Sequence, residues 1–288
     1  MGKISVVINT LNEAKNLPRA ITSIKGLASE IVVIDMESDD KTAEIAKKLG
    51  ARVFSHKRVG YVEPARNFGI SKAKNEWILI LDADEEIPES LSKKLQELIK
   101  NPSVDYFRIP RKNIILGHFM EHTRWWPDYN IRFFRRGFVS WGDEIHSIPV
   151  TKGKGEDVKE KEEYAIIHHN YNSITDYLTK MLRYSEIQSE ELMKNGYVFE
   201  WQDLIKKPMN EFLSRFFAGE GYKDGIYGLA FSVLQSFSEF VLYLRVWEVQ
   251  GSKDINISKR EYAKEFKNGI KDSKWWLRKK FSLFGRFF

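Results

Sequence analysis

Apolar and polar positions alternate in one rhythm up to about Tyr106 and in another beyond it. Ile4 to Ile8 is a β-branched run and predicts a strand buried on both faces. Asn16-Leu17-Pro18 then predicts a helix start, with Asn16 as N-cap and Pro18 in the first turn, where a missing N–H does no harm. Ile31 to Asp35 predicts a second strand. Asp40 to Leu49 predicts a second helix, stopped by Gly50. Arg52 to Ser55 is a short third strand, and Trp77 to Leu81, apolar throughout, is a fourth that must be covered on both faces. Leu91, Leu95 and Leu98 then recur at i, i+4 and i+7, the apolar stripe of a further helix. Strands and helices alternating in this way predict an α/β fold, a mostly parallel sheet with helices on both faces.

After Tyr106 the strand-like pieces are short: Tyr106 to Pro110 and Ile131 to Arg135. Lys152 to Glu163 is a charge run and reads as a solvated loop or hairpin tip. From Ile174 the pattern is mainly helical. Ile226 to Val246 is long and apolar, but Gln235, Glu239 and Arg245 interrupt it. A spanning helix tolerates such residues poorly, so a buried or interface-lying helix is expected. These patterns divide the chain into an α/β domain, residues 1–172, and a helical C-terminal region, residues 173–288.

Composition narrows the picture. Of 288 residues 42% are hydrophobic, enough for a core, while 30% are charged, too many for a membrane-embedded protein. The absence of cysteine excludes disulfides, thiolate zinc sites and a cysteine nucleophile. The apolar run at the N-terminus is too short for a signal peptide, so a cytoplasmic protein is expected. The net charge of +6 is uneven: Lys271 to Phe288 carries six Lys/Arg, one Asp and six aromatics. Leu277, Phe281, Phe284 and Phe288 fall on one helical face there, flanked by Trp276 and Leu283, with Lys274, Arg278, Lys279 and Arg286 around them. That layout predicts a segment lying on an anionic membrane surface, or packed on the protein's own core or a second subunit.

Ligands bind α/β sheets beyond the carboxyl ends of their strands. Three such ends are acidic or polar here: Thr10, Asn12 and Glu13; Asp35, Glu37, Ser38, Asp39 and Asp40; and Asp82, Asp84, Glu85 and Glu86. Any one cluster is explained equally well by helix capping. Three on one edge repel unless a cation or polar ligand joins them. Asp82-Ala83-Asp84, directly after the apolar strand, is a hard-oxygen site for Mg²⁺ or Mn²⁺, able to clamp a diphosphate. Neither a Gly-x-Gly-x-x-Gly fingerprint nor a P-loop is present, which disfavours dinucleotide dehydrogenases and P-loop NTPases. Arg66 precedes the fourth strand and is a candidate diphosphate ligand, or simply a surface arginine.

The segments Val6 to Glu13, Ile31 to Asp35 with Ser38, Asp40 and Thr42, Arg66-Asn67-Phe68-Gly69, and Leu81 to Glu85 resemble, in order and spacing, the GT-A glycosyltransferases of family 2. The resemblance implies a Rossmann-like GT-A domain and a nucleotide-sugar donor, a UDP-sugar in preference to a GDP-sugar. It places the donor on Thr10, Leu11, Asn12, Glu13, Asp35, Glu37, Arg66, Asp82, Ala83 and Asp84. Many members carry a second acid directly after the strand aspartate; Met36 stands there, and Glu37 is the substitute. A looser resemblance, through Trp126 to Arg136, Ile145-His146, His168 with Ser173, Lys180 and Tyr184, and Phe212 to Gly228, is to the lipopolysaccharide-core glucosyltransferase-like branch. Branch members commonly have Glu after that histidine; here it is Ser147.

Inverting transfer needs a carboxylate to take the acceptor proton. Glu144 is the first candidate and Asp143 the second; the competing reading is that both merely open a loop. Asp82 and Asp84 are the expected metal ligands. His168, or His146, is a candidate third, against a purely structural histidine. Trp125 and Trp126 offer flat faces for a sugar, or for core packing. The expected acceptor is a lipid-linked molecule or a glycan in cell-envelope synthesis, with transfer to a polyprenyl phosphate as the alternative. The expected partners are thus the donor, this acceptor and a membrane surface at the inner face of the cell membrane. No nucleic acid is expected, and a homodimer is left open. An aspartyl phosphotransferase and a non-catalytic membrane-binding protein are the rival classes.

Overall fold

The structure is a computed structural model that describes residues 3–58, 63–100, 102–142 and 149–281. The chain forms two compact units: Met1–Ile114 with Pro127–Asn170, and Ile115–Trp126 with Tyr171–Phe288.

The first unit begins with β1 (Ile4–Thr10), α1 (Leu17–Ser23), β2 (Glu30–Asp35), α2 (Thr42–Lys48), β3 (Arg52–Ser55), α3 (Glu63–Lys72) and β4 (Trp77–Asp82). β1 is the parallel neighbour of both β2 and β4, and β3 runs parallel at the edge of β2. β5 (Glu85–Glu86), α4 (Glu89–Leu98), β6 (Tyr106–Ile115), β7 (His118–Phe119), β8 (Asp128–Arg135), β9 (Val139–Ser140), β10 (Val150–Thr151), β11 (Gly155–Asp157) and β12 (Ile166–Tyr171) follow. The sheet order is β3-β2-β1-β4-β8-β6-β12-β5, with β8 antiparallel to both β4 and β6. Every residue of β1 is buried. One face of the sheet packs Ile4, Val6, Ile8, Leu79 and Leu81 against Leu17, Ile21, Leu91 and Leu95 of the helices. The other packs Val7, Ile34, Ile78 and Ile80 with Ala65, Phe134 and Trp141. A strand with no polar face has no other place in a fold than between two helix layers.

Two local expectations change. Asn16 makes no capping bond to α1; its amide donates instead to Glu13 Oε2 at 2.8 Å, and its backbone is already helical. Part of the Lys152 to Glu163 charge run is a strand: β11 pairs parallel with β6, aided by a fork of Arg108 onto Asp157 at 2.5 and 2.7 Å.

The second unit contains α5 (Ile174–Lys194), α6 (Asp203–Leu213), α7 (Gly225–Val249) and α8 (Lys259–Lys280). Its core gathers Ile115, Met120, Tyr177, Met181 and Phe231. Ser173 caps α5 by accepting the Asp176 N–H at 3.0 Å, and Ser258 opens α8 in a reciprocal capping box with Glu261. α7 buries one face, including Phe231, Leu242 and Val246, but leaves Ile226, Leu229, Val233, Phe237 and Leu244 exposed. By length and composition it could also cross a bilayer. At the end of α8, Phe281 packs on Phe217 and Tyr222, while Leu277 is exposed. The expected common face for Leu277 and Phe281 is therefore broken, because the helix ends at Lys280 and Phe281 turns inward. Phe284, Phe288, Leu283 and Arg286 lie outside the described residues.

Candidate active site

The carboxyl ends of β1, β2 and β4 form one polar shelf. Asn12 and Glu37 both hold left-handed backbone, with φ of 58° and 57°. These turns let the two loops lace together. The Asn12 N–H donates to Ser38 Oγ at 2.9 Å, Asp39 N–H to Asn12 Oδ1 at 2.8 Å, Glu13 N–H to Thr42 Oγ1 at 2.8 Å, and Ala14 N–H to Asp40 Oδ2 at 3.1 Å. Asp40 and Thr42 thus brace the shelf. Leu11 packs beneath it and the Thr10 hydroxyl donates to the Ile34 carbonyl at 3.3 Å. Glu37 accepts the Arg58 N–H at 3.3 Å.

Three buried polar atoms on this shelf, Asp35 Oδ1 and both amide atoms of Asn9, make no hydrogen bond among the described residues. Asp35 Oδ2 accepts the Ser38 N–H at 3.2 Å. Asn9 stands opposite Asp82 in the β1–β4 register. Buried polar groups are costly unless paired, so these atoms are free to pair with a water or a polar ligand.

Asp82 ends β4. Its Oδ1 faces Arg66 Nη2 at 3.3 Å, and its Oδ2 accepts from Arg132 Nη2 at 2.5 Å. Ala83 is buried in the following turn. Glu85 is wholly buried; its Oε2 accepts the Asp82 N–H at 2.9 Å, and its Oε1 faces Arg132 at 3.0 Å and Arg111 at 3.4 Å. Arg111 in turn clasps Asp128, directly across the β6–β8 ladder, at 2.6 Å. Three guanidiniums, of Arg66, Arg111 and Arg132, thus balance the three carboxylates of Asp82, Glu85 and Asp128. Burial opposes ionisation of Asp82, but the charges of Arg132 and Arg66 outweigh it and hold the carboxyl far below its ordinary range. For Asp128 the same opposition by burial is overcome by Arg111 and by hydrogen bonds from Arg111, Asn113 and Asn130. Each Asp82 oxygen is engaged by one arginine and keeps a second lone pair, so the expected metal-ligand role of Asp82 is compatible with this geometry.

Asp84 has a different surrounding. β5 pairs antiparallel with β12, setting His168 opposite Glu85, and the His169 N–H donates to the Asp84 carbonyl at 3.0 Å. This places His168 Nε2 at 3.5 Å from Asp84 Oδ2. The other imidazole nitrogen, Nδ1, lies 2.6 Å from Asn113 Oδ1. The tautomer follows from the chain of partners. Asp128 is ionised and can only accept, so the Asn113 amide must turn its NH₂ to Asp128 Oδ2, at 3.2 Å, and its oxygen to His168. Nδ1 then carries a proton, and Nε2 is the nitrogen that faces the Asp84 carboxylate. A carboxylate oxygen and an imidazole nitrogen turned to one point suit Mn²⁺ or Mg²⁺. No cluster of three or more protein ligands exists among the described residues, so a metal on this pair would take further ligands from a diphosphate.

α3 supplies Arg66 and Asn67. It approaches the sheet closely at Gly69, where a Cβ would come 2.6 Å from Val7 Cγ1 and 3.0 Å from Ile34 Cγ1. Asn67 clasps the Trp141 backbone from both sides, at 3.0 Å to its N–H and 2.7 Å to its carbonyl. The Arg66 guanidinium sits 5.4 Å from the centre of the Trp141 ring. The chain therefore leaves Trp141 beside Arg66. Asp143, Glu144 and His146 follow immediately and lie outside the described residues. Trp125 and Trp126 belong to the second unit: Trp125 packs against its core and edge-on to Tyr171, and Trp126 is edge-on to Phe119.

Arg111, Asn113, Asp128, Arg132 and Asn9 are site residues not anticipated from the sequence. A signal for most of them exists. Asp128, Asn130 and Arg132 recur at i, i+2 and i+4, as do Arg111 and Asn113 at i and i+2, the period that lines one face of a strand.

Parallel strands β3, β2, β1 and β4 covered by helices and continued by the antiparallel β8 are the architecture of the GT-A glycosyltransferases. Residues 5–152 match the model of Glycosyl transferase family 2, and the chain belongs to that family. It is therefore a glycosyltransferase that depends on a nucleotide-sugar donor. An uncharacterised glycosyltransferase of Rickettsia typhi is 31% identical over 259 residues, covering 86% of this chain and 88% of the relative. Among solved structures, S. aureus TarS 1–349 in complex with UDP is similar at 15% identity and a TM-score of 0.45, over 89% of this chain and 94% of that one. Glucosyl-3-phosphoglycerate synthase of Mycobacterium tuberculosis, in complex with Mn²⁺ and UDP-glucose, is similar at 24% identity and a TM-score of 0.32, over 37% of this chain and 43% of that one.

Proposed function

We propose that the chain is an inverting glycosyltransferase that moves a sugar from a UDP-sugar to a hydroxyl of a lipid-linked or glycan acceptor, in cell-envelope glycan synthesis at the inner face of the membrane. The observation that carries this reading is the Asp84–His168 pair, 3.5 Å apart, at the turn after Asp82 and its charge-balanced arginine cluster, at the same sheet edge as the unpaired atoms of Asn9 and Asp35. In this reading Asp35 and Asn9 complete the nucleoside, with Thr10, Leu11, Asn12, Glu13 and Glu37 shaping the shelf. Arg66 is shared between Asp82 and the diphosphate. Asp84 and His168 hold Mn²⁺ or Mg²⁺, which when bound neutralises charge on the departing nucleoside diphosphate. Glu144, or Asp143 in its place, takes the acceptor proton; the position of Trp141 beside Arg66 supports a base from this segment. The Trp126 to Arg136 segment, on which the likeness to the lipopolysaccharide-core branch rests, supplies Asp128 and Arg132 to the site.

Calorimetric titration of UDP and GDP, each with and without Mn²⁺, tests the donor and the metal together. UDP binding that strengthens with Mn²⁺ in the wild type and not in Asp84→Ala is expected. Equal UDP binding with and without Mn²⁺ in the wild type overturns the metal assignment, and preference for GDP overturns the uridine one.

A further inference from the structure

α8 has a narrow inward face. Its buried positions are Glu265 and Gly269, the latter against Met209 of α6. Glu265 also pairs with Lys206 at 3.6 Å, Trp276 stacks on Phe217, and Lys280 pairs with Glu220 at 3.0 Å. These contacts fix which faces point away from the unit. One of those carries Tyr262, Phe266, Ile270 and Leu277, with exposures of 43, 54, 53 and 38%. At about 100° per residue they fall within one arc, forming a row roughly 22 Å long. Beside it runs a second row, Arg260, Lys264, Lys267, Lys271, Lys274 and Arg278, all exposed. Their spacing of i, i+4, i+7, i+11, i+14 and i+18 puts six cations on one adjoining stripe. No carboxylate interrupts either row: Glu261, Glu265 and Asp272 lie on the other side of the helix.

We infer that this double-rowed face of α8 docks the protein on an anionic lipid bilayer, with Phe266 and Ile270 entering the headgroup boundary and the lysine row meeting the lipid phosphates. Apolar and cationic faces side by side on a helix too charged to span are the requirement for lying in the interface plane. Two alternatives fit the charge less well. In a second copy of this face, six cations would meet six cations. A nucleic-acid backbone would satisfy the lysines and leave the apolar row in water. The inference extends the membrane placement given above, but rests on no step of sugar transfer.

The test is flotation of the full chain with vesicles of phosphatidylcholine alone, or of phosphatidylcholine mixed with phosphatidylglycerol, at low and high salt, together with sedimentation velocity. Two variants are compared: Lys264→Glu/Lys267→Glu/Lys274→Glu, and Phe266→Ser/Ile270→Ser. Every substituted side chain is exposed, and circular dichroism verifies the fold. The wild type should float with the anionic vesicles only and be released by salt, and each variant should bind roughly tenfold more weakly or worse. Wild-type binding to neutral vesicles as strong as to anionic ones, or unchanged binding by both variants, overturns the inference. So does a wild-type dimer that Phe266→Ser/Ile270→Ser dissociates without altering flotation, which makes the face a contact between copies. Because no donor, metal or transfer is involved, failure here leaves the donor chemistry standing.

Discussion

At the scale of single residues the site rests on charge balance in a buried place. Arg132 is 2% exposed and touches both Asp82 and Glu85, so removing it leaves two carboxylates with too little compensation. Arg132→Met should therefore cost about 3–5 kcal/mol of stability in urea unfolding, the usual penalty for orphaning a buried charge. A loss below about 1 kcal/mol would show that water already reaches the cluster. The pH dependence has a definite sign. Asp82 and Asp128 titrate below their unfolded values, so their contribution is complete above about pH 4 and is lost as pH falls through the folded values. In Arg132→Met the Asp82 carboxyl loses its chief counter-charge, and the acid limb of the stability profile should move to higher pH. Asn113→Leu probes the other arm. Without the Asn113 oxygen the Nδ1–H tautomer of His168 is no longer enforced. Mn²⁺-dependent strengthening of UDP binding should fall by about 10- to 100-fold, the usual effect of losing a group that orients a metal-binding histidine. Long-range ¹H–¹⁵N spectra, with the signal assigned by His168→Gln, should show the tautomer change; an unchanged tautomer removes Asn113 from this role. Asp82 and Asp84 were legible in the sequence because they follow directly on an apolar strand. Arg132 and Asn113 were not, because their partners come from strands brought alongside by pairing, a non-local event that composition does not encode. Only the period-two polar spacing of β8, for Arg132, and of β6, for Asn113, hints at them.

At the scale of elements, the parallel strands were legible because burial on both faces leaves a continuous apolar run, and β1, β2 and β4 carry one. The two-residue β5 was not. It has no periodicity of its own and is a strand only because β12 pairs with it, yet that pairing brings His168 to Asp84. α3 is a third case: its sequence suggests a helix only weakly, but its Gly69 is legible afterwards as the point of close approach. Adding a methyl there meets Val7 and Ile34 side-chain atoms rather than backbone, so the neighbours can yield at a cost. Gly69→Ala should destabilise by roughly 1–3 kcal/mol through overpacking. It should also weaken UDP binding more than its stability loss explains at temperatures where the protein remains folded, because α3 carries Arg66 toward Asp82 one turn earlier. If UDP affinity is unchanged while stability falls, α3 is a packing element and Arg66 is not positioned by it.

At the scale of the whole molecule, donor chemistry and surface chemistry fall in different units. Every residue assigned to nucleotide and metal lies in Met1–Ile114 with Pro127–Asn170, whereas the exposed apolar rows of α7 and α8 lie in Ile115–Trp126 with Tyr171–Phe288. The two units have separate cores, so a ligand of one need not order the other. A ligand that binds only the folded state stabilises it by RT ln(1 + [L]/Kd), about 2.7 kcal/mol at a hundredfold excess over Kd. That stabilisation should appear where the binding groups are anchored. Hydrogen exchange in the presence of UDP and Mn²⁺ should therefore slow at the loops after β1, β2 and β4 and across the β5–β12 pair. α6, α7 and α8 should exchange as they do without ligand. Exchange opens each region by its own local or sub-global unfolding, so the comparison reads the two units separately even in one intact chain. Slowing confined to α6 to α8 would place nucleotide binding in the helical unit and overturn the site at the sheet edge. Equal slowing throughout would show that the units open as one and that donor binding is felt at the surface proposed to meet lipid.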